Sequence, residues 1–332
     1  MNEYGVSATG GAVTTLRKEP APAAALRVEI CERVARNVMA LTLTDPAGRR
    51  LPPWTPGSHI DLILPNGKSR QYSLCGDRWN TYQYRIAILD EPNGRGASHW
   101  LHTNVKEGDL LGYGGPRNHF PMVPAESYLF IAGGIGITPL IPMIDQAART
   151  GRPWKLLYGG RTRHSMAFRD ELERYGDPVH IAPQDEVGLP DLASWINDLE
   201  PSTKVYCCGP AGLLQAVESA CRQCLPYALH TERFEAPARD SSQDRAFTLK
   251  LLRSGREIEV GVGMSALDAL SEAGIGILSS CRQGACGTCE VPVVDGIPDH
   301  RDSVLDETDR QAGDCIITCV SRAHTDHLAL DL

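Results

Sequence analysis

Three cysteines fall within nine residues of the segment SSCRQGACGTCEV, Ser279 to Val291. Four residues separate Cys281 from Cys286, two separate Cys286 from Cys289, and 29 more precede Cys319. C-x4-C-x2-C with a distant fourth cysteine is the plant-type spacing for a [2Fe–2S] cluster, which needs four thiolates. The residues between the thiols fit that chemistry. Gly284, Ala285 and Gly287 let the backbone come close, so that its N–H groups can point at the sulfurs and stabilise the reduced cluster. A zinc site asks instead for two separated Cys-x-x-Cys-like pairs, which the four-residue gap fits poorly. Cys315, four residues before Cys319, is a rival for the fourth ligand.

Such a cluster carries one electron, whereas NADH and NADPH give a hydride. A chain that joins the two needs a splitter, and flavin is the usual one. In RQYSL, Arg70 to Leu74, strand alternation places Arg70, Tyr72 and Leu74 on one face, an arginine for phosphate beside an aromatic for the flavin body. Ser73 can reach the ring edge. The turn NGRGASHWL opens a helix, and its N–H groups with Arg95 and Ser98 make a phosphate site. AGGIGITPL, Ala132 to Leu140, is a glycine-rich strand-to-helix turn suited to a dinucleotide. It departs from G-x-G-x-x-G, because Pro139 stands where the third glycine would be. YCCGP, Tyr206 to Pro210, ends a later strand, where parallel sheets place their ligands. Each segment alone also reads as an ordinary strand or turn; their order carries the argument.

The elements that must position these residues change character along the chain. Residues 1–24 read as a disordered tail with no secretory pattern. From 25 to 123, short runs such as HIDLIL, RQYSL and YRIAIL between Pro, Gly and Asn clusters predict a small antiparallel β-barrel. From 124 to 234, YLFIAGG, WKLLYGG, PVHIA and KVYCCG are apolar strands followed by helical or helix-starting segments, which predicts an α/β parallel-sheet domain. Residues 235–246 are polar and aperiodic, a linker. From 247 to 332 a hairpin, FTLKLL-RSG-REIEV, precedes a short helix with Ser265 as N-cap and Gly274 as its stop.

Composition narrows the classes further. The 332 residues exceed one small core, and no apolar run approaches the ~18 residues of a membrane span. Eleven cysteines without an export signal point to a cytoplasmic protein whose thiols are ligands or buried. Cys221 and Cys224 form a lone Cys-x-x-Cys late in a predicted helix and read as helix-face packing. Residues 247–332 carry seven Lys/Arg and fourteen Asp/Glu, so most of the net charge of −8 sits there. That balance disfavours nucleic acid and gives the last module an acidic face.

With these motifs in place, the chain resembles the phthalate dioxygenase reductase/vanillate demethylase reductase family. The matching segments are RQYSLCGD, NGRGAS, GPRNHFPM, IAGGIGITPL, YCCGPAGLL, ERF, SSCRQGACGTCE, DHRDSVL and CVSRA. It is also similar to the reductase segment fused to some bacterial haem-thiolate monooxygenases. The resemblance implies a multidomain protein: an antiparallel flavin-binding β-barrel, an α/β NAD domain and an α+β β-grasp ferredoxin domain. Arg70, Gln71, Tyr72 and Ser73 would hold the flavin, with Ala87 and Ile88 along its edge. Gly94, Arg95, Gly96, Ala97 and Ser98 would hold its phosphate. Gly133, Gly134, Ile135, Gly136, Thr138 and Pro139 would form the coenzyme turn, with Thr138 near both rings. Cys208, Gly209 and Pro210 would face the nicotinamide, and Phe234 would stack on the flavin. CVSRA selects Cys319, so the cluster ligands would be Cys281, Cys286, Cys289 and Cys319.

The resemblance implies FMN rather than FAD, and NADH rather than NADPH, although Arg161 and Arg163 lie where an adenosine 2′-phosphate could bind. The expected function is an NADH-dependent reductase with no catalytic acid or base. Electrons would pass through FMN and [2Fe–2S] to a terminal oxygenase, Rieske-type or haem-thiolate, docked on the acidic module. A monomer without membrane or nucleic-acid partners is expected. The alternatives are a stand-alone ferric or quinone reductase and a non-catalytic redox sensor.

Overall fold

The computed structural model describes residues 24–64, 69–92, 94, 96–224, 228–234, 244–279, 281–284, 287–305 and 307–332. The expected tail, most of the expected linker, and the site residues Arg95 and Cys286 lie outside the described residues.

The first unit contains β1 (Ala25–Ala35), β2 (Val38–Thr44), β3 (Ser58–Ile63), β4 (Ser69–Ser73), β5 (Gln83–Leu89), α1 (Ala97–Asn104) and β6 (Leu110–Asn118). Its antiparallel sheet runs β4-β3-β6-β1-β2-β5. The two edges curl together, with the Cys75 N–H donating to the Arg85 carbonyl at 2.8 Å. Alternation in QYRIAIL does two jobs. Tyr84, Ile86 and Ile88 point into the barrel core with Leu41, Leu62 and Leu74, while Arg85, Ala87 and Leu89 face outward toward the second unit.

That unit holds β7 (Ser127–Gly133), α2 (Ile141–Arg149), β8 (Trp154–Gly160), α3 (Arg169–Glu173), β9 (Val179–Pro183), α4 (Gln184–Val187), α5 (Leu192–Ile196), β10 (Thr203–Cys208), α6 (Ala211–Cys224) and β11 (Leu229–Glu232). The sheet is parallel, in the order β11-β10-β7-β8-β9. The chain builds outward from β7 to β9, then returns to add β10 and β11 on the other side. The switch point therefore lies between β7 and β10, the place where open α/β sheets bind ligands. A single apolar core runs across both units: Val38, Ala40 and Phe120 pack with Tyr128, Phe130 and Tyr206. Arg85 secures the same joint, contacting Glu171 at 2.8 and 3.0 Å and Glu32 at 3.0 Å, with its guanidinium 4.5 Å from the Phe168 ring centre.

The third unit is a mixed sheet, β13-β12-β18-β14-β16, built from β12 (Phe247–Leu251), β13 (Arg256–Val260), β14 (Glu290–Asp295), β16 (Cys315–Ile317) and β18 (His327–Leu330). It also has α7 (Ala266–Glu272), α8 (Glu307–Ala312) and a small pair, β15 (Pro298–Asp299) with β17 (Arg322–Ala323). β12 and β13 form the expected hairpin. Ser265 caps α7 by accepting from the Asp268 N–H, and Gly274 follows the helix in the left-handed region. Asp244, at the end of the linker segment, pairs with Arg301 at 2.5 Å and lies 3.7 Å from Arg322. Among the described residues, no helix is long and apolar enough to cross a membrane.

The glycines at the switch point have a packing role. A Cβ on Gly136 would sit 2.2 Å from the Cys208 carbonyl oxygen, and one on Gly133 would sit 2.6 Å from Pro210 Cδ. Gly136→Ala should therefore cost about 2–3 kcal/mol, read by urea unfolding. Gly212→Ala, in α6 where an added Cβ meets nothing within 4 Å, should be neutral or slightly stabilising.

Candidate functional site

All three units contribute to one cavity of about 350 Å³. The barrel supplies His59, Arg70, Gln71, Tyr72, Ser73, Ala87, Leu89, Glu91, Gly94, Ala97 and Ser98. The second unit adds Ile135, Thr138, Glu232, Arg233 and Phe234, and the third adds Cys281 and Gln283. Alternation on β4 does not choose the wall as expected, since residues 70 to 73 all line it. β4 is an edge strand, so a ligand can lie along its rim and meet side chains of both parities. Leu74 turns into the barrel core. On β5, Ala87 lines the cavity and Ile88 does not, its side chain being fully buried in the barrel.

One end of the cavity is built around the start of α1. Gly96, at φ 83°, precedes α1, and no side chain caps that helix. Its first-turn N–H groups are thus left for an anion, which a helix N-terminus favours. Ser98 Oγ accepts the Glu91 N–H at 3.2 Å, which fixes the turn. Arg70 stands on the same wall, and its guanidinium also donates to the Ser69 carbonyl at 2.7 Å.

At the other end, Thr138 is buried and its hydroxyl donates to the Ile135 carbonyl at 3.0 Å. Gly133, Gly134, Gly136, Pro139, Cys208, Gly209 and Pro210 form the turns behind it rather than the described cavity wall. Parallel register sets Cys208 beside Glu232, with the thiol 3.9 Å from Glu232 Oε2. Ser73 also hydrogen-bonds this carboxyl. Burial pushes Glu232 up to about 8, outweighing both hydrogen bonds, so the group is largely protonated at neutral pH. Burial likewise holds the Cys208 thiol well above its usual range. Phe234, 40% exposed, borders the opening. Arg161 lies outside the cavity, on the surface just beyond β8.

The cysteine loop closes the site. Cys319 hydrogen-bonds both Cys281 and Cys289, which brings the three described thiols together. The Gln283 N–H donates to Cys281 Sγ and the Gly284 N–H to Cys319 Sγ, each at 3.3 Å. Arg282, Gly284 and Gly287 adopt φ values of 54°, 70° and 67°. A side chain on Gly284 would meet Val320 Cγ2 at 2.4 Å. Left-handed backbone at a non-glycine residue is uncommon, and here it turns amides toward sulfur. Cys315 sits on β16 opposite Pro292, and its thiol is raised to about 11 by burial and nearby acids. This thiolate set with two amide donors fits an iron–sulfur cluster, and the uncapped helix with an arginine beside an aromatic fits a flavin phosphate and ring.

Several wall residues had no expected role, Glu232 of the ERF segment among them. Glu232 ends the last strand of its sheet, a position that the strand-end rule for α/β ligands could have flagged. His59 could not be found that way. It is 4% exposed and sits 3.1 Å from Gln71, with its ring stacked on His119 at 5.6 Å. Burial, His119 and Arg117 lower it to about 4, so it is neutral. His119 in turn faces the cluster loop, where a Cβ on Gly287 would lie 3.2 Å from its ring.

Glu232 has a measurable consequence. The folded chain holds its proton up to about pH 8, whereas an ordinary glutamate ionises near 4.5. Between those values the unfolded state binds fewer protons, so this group makes stability fall as pH rises. Thermal unfolding at stepped pH should show a shallower loss in Glu232→Gln than in the wild type; parallel curves would refute the assignment.

Comparison with known proteins agrees with these observations. Residues 249–324 match the 2Fe-2S iron-sulfur cluster binding domain, and residues 130–219 match the oxidoreductase NAD-binding domain. The chain is 42% identical to phenoxybenzoate dioxygenase subunit beta of Ectopseudomonas oleovorans over 313 residues, covering 92% of this chain and 97% of that one. It is 37% identical to phthalate dioxygenase reductase of Burkholderia cepacia, again covering 92% and 97%. A solved intact type IV self-sufficient cytochrome P450 monooxygenase superposes with a TM-score of 0.87 and 42% identity, over 95% of this chain and 43% of that longer one. On these matches the chain is a reductase component that moves electrons from NAD(P)H through flavin and a [2Fe–2S] cluster to an oxygenase, and it belongs to the phthalate dioxygenase reductase family.

Proposed function

We propose that this protein is the NADH-dependent, FMN-containing reductase of a cytoplasmic oxygenase system. One observation carries the reading: the cluster residue Cys281 lines the same cavity as Arg70, Tyr72 and Thr138. Those residues would hold a flavin, which would supply the conversion from hydride to single electrons that the chain needs between its two ends.

The residues divide the work. Arg70, Gly94, Gly96, Ala97, Ser98 and the first turn of α1 bind the phosphate; a single short turn of this kind suits a mononucleotide. Tyr72 and Phe234, both on the cavity wall, would stack on the flavin. Thr138 and the turns at 133–139 and 208–210 orient the coenzyme. Ser73 and Cys208 would orient the Glu232 carboxyl on the cavity wall, while its burial keeps the proton there. Cys281, Cys286, Cys289 and Cys319 hold the cluster, with the Gln283 and Gly284 amides supporting its negative charge. We assign residues 25–123, 124–234 and 247–332 to the flavin, coenzyme and ferredoxin modules. The acidic ferredoxin module docks the terminal oxygenase, a reading supported by the names of the relatives.

Cys286→Ser separates the two halves of the path. It should abolish NADH-driven cytochrome c reduction while leaving ferricyanide reduction, which needs only the flavin. Survival of both activities would sink the path through the cluster.

A further inference from the structure

The loop after β8 contains two arginines, and the fold treats them differently. In a nucleotide-binding α/β sheet, the end of the strand next to the first one faces the adenosine ribose. An acidic residue there suits a 2′-hydroxyl, and an arginine suits a 2′-phosphate. Arg163 lies in the loop just beyond β8, and its planar fork is already engaged. Its Nε and Nη2 reach Glu186 Oε1 and Oε2 at 3.2 and 3.0 Å, and Nη1 lies 3.6 Å from Glu173. The arrangement is built in from several sides. Thr162 and Ser165 form a reciprocal cap that fixes the loop, and the Asp185 N–H donates to the Arg161 carbonyl at 3.2 Å, holding α4 alongside. Arg169 donates to the Arg163 carbonyl at 3.4 Å. Among the described residues, Arg161 has no ion-pair partner.

We propose that Glu186, backed by Glu173, sets coenzyme preference by occupying the Arg163 guanidinium. The 2′-hydroxyl of NADH is then tolerated, and the 2′-phosphate of NADPH must displace a carboxylate to gain the arginine. Arg163 and Glu186 are 40% and 45% exposed, so water and salt weaken the pair and the penalty is graded rather than absolute. The proposal rests on the reading above, that the C-terminal edge of this sheet receives a nicotinamide dinucleotide.

The test measures kcat/KM for NADH and NADPH with ferricyanide as acceptor, using the holoprotein. The wild type should favour NADH. Glu186→Gln should improve NADPH about tenfold, chiefly through KM, the order expected when one charge is removed a few Å from a phosphate dianion near water. NADH kinetics should stay unchanged, which also reports an intact fold. Adding Arg163→Gln to Glu186→Gln should remove the gain. A wild type that prefers NADPH, or proportional changes for both coenzymes in Glu186→Gln, would overturn the proposal while leaving the reductase reading intact. Loss of discrimination in Arg161→Gln alone would overturn it too, by assigning the 2′-position to Arg161. Failure of the wild type to oxidise either coenzyme would overturn the reductase reading and the proposal together.

Discussion

The contact of the cysteine loop with the outer face of the barrel is the constraint on which the site depends. A flavin cavity and a cluster cage are useful to each other only when adjacent. Here Cys281 and Gln283 enter the cavity wall while Gly287 lies against His119. The neutral, buried His59 connects the two faces by stacking on His119 and meeting Gln71. Its burial and the neighbouring His119 and Arg117 keep the ring uncharged.

The two joints between units are made of different materials. The barrel and the coenzyme unit share a continuous apolar core, reinforced by the Arg85 bridge to Glu32 and Glu171. An apolar joint of this kind holds β5 and the turns that follow β7 and β10 in fixed relation. The ferredoxin unit instead meets the barrel through loops, and its lead-in segment is anchored by the Asp244 pairs to Arg301 and Arg322.

Buried polar residues mark these joints. β3 is buried along most of its length, with His59 and Asp61 among the apolar positions. Asp61 pairs with Arg117 and His59 faces the cavity. The strand is covered on both sides, one by the barrel core and the other by the ligand cavity and the ferredoxin loop. Read as an isolated hairpin strand, HIDLIL gives no reason for a buried histidine.

What the sequence by itself determined is local: the cysteine spacing, the glycine-rich turns and the rhythm of strands and helices. Each follows from backbone geometry and ligand chemistry within a few residues. The Ser265 cap, the β12–β13 hairpin and the parallel character of the second sheet belong to that legible part. The tertiary structure decided what meets across distance. Alternation on β4 failed to choose the wall because an edge strand is read along its rim. Glycines that looked shaped for phosphate also serve close packing of two turns, since Gly136 leaves no room for a Cβ against Cys208. Glu232 became a proton-holding group only because folding buried its carboxyl, against the pull of its hydrogen bonds to Ser73 and Cys208. Arg163, a plausible phosphate ligand in sequence, is engaged by Glu186 from a segment 23 residues away. Such pairings depend on burial and register, which no local pattern encodes.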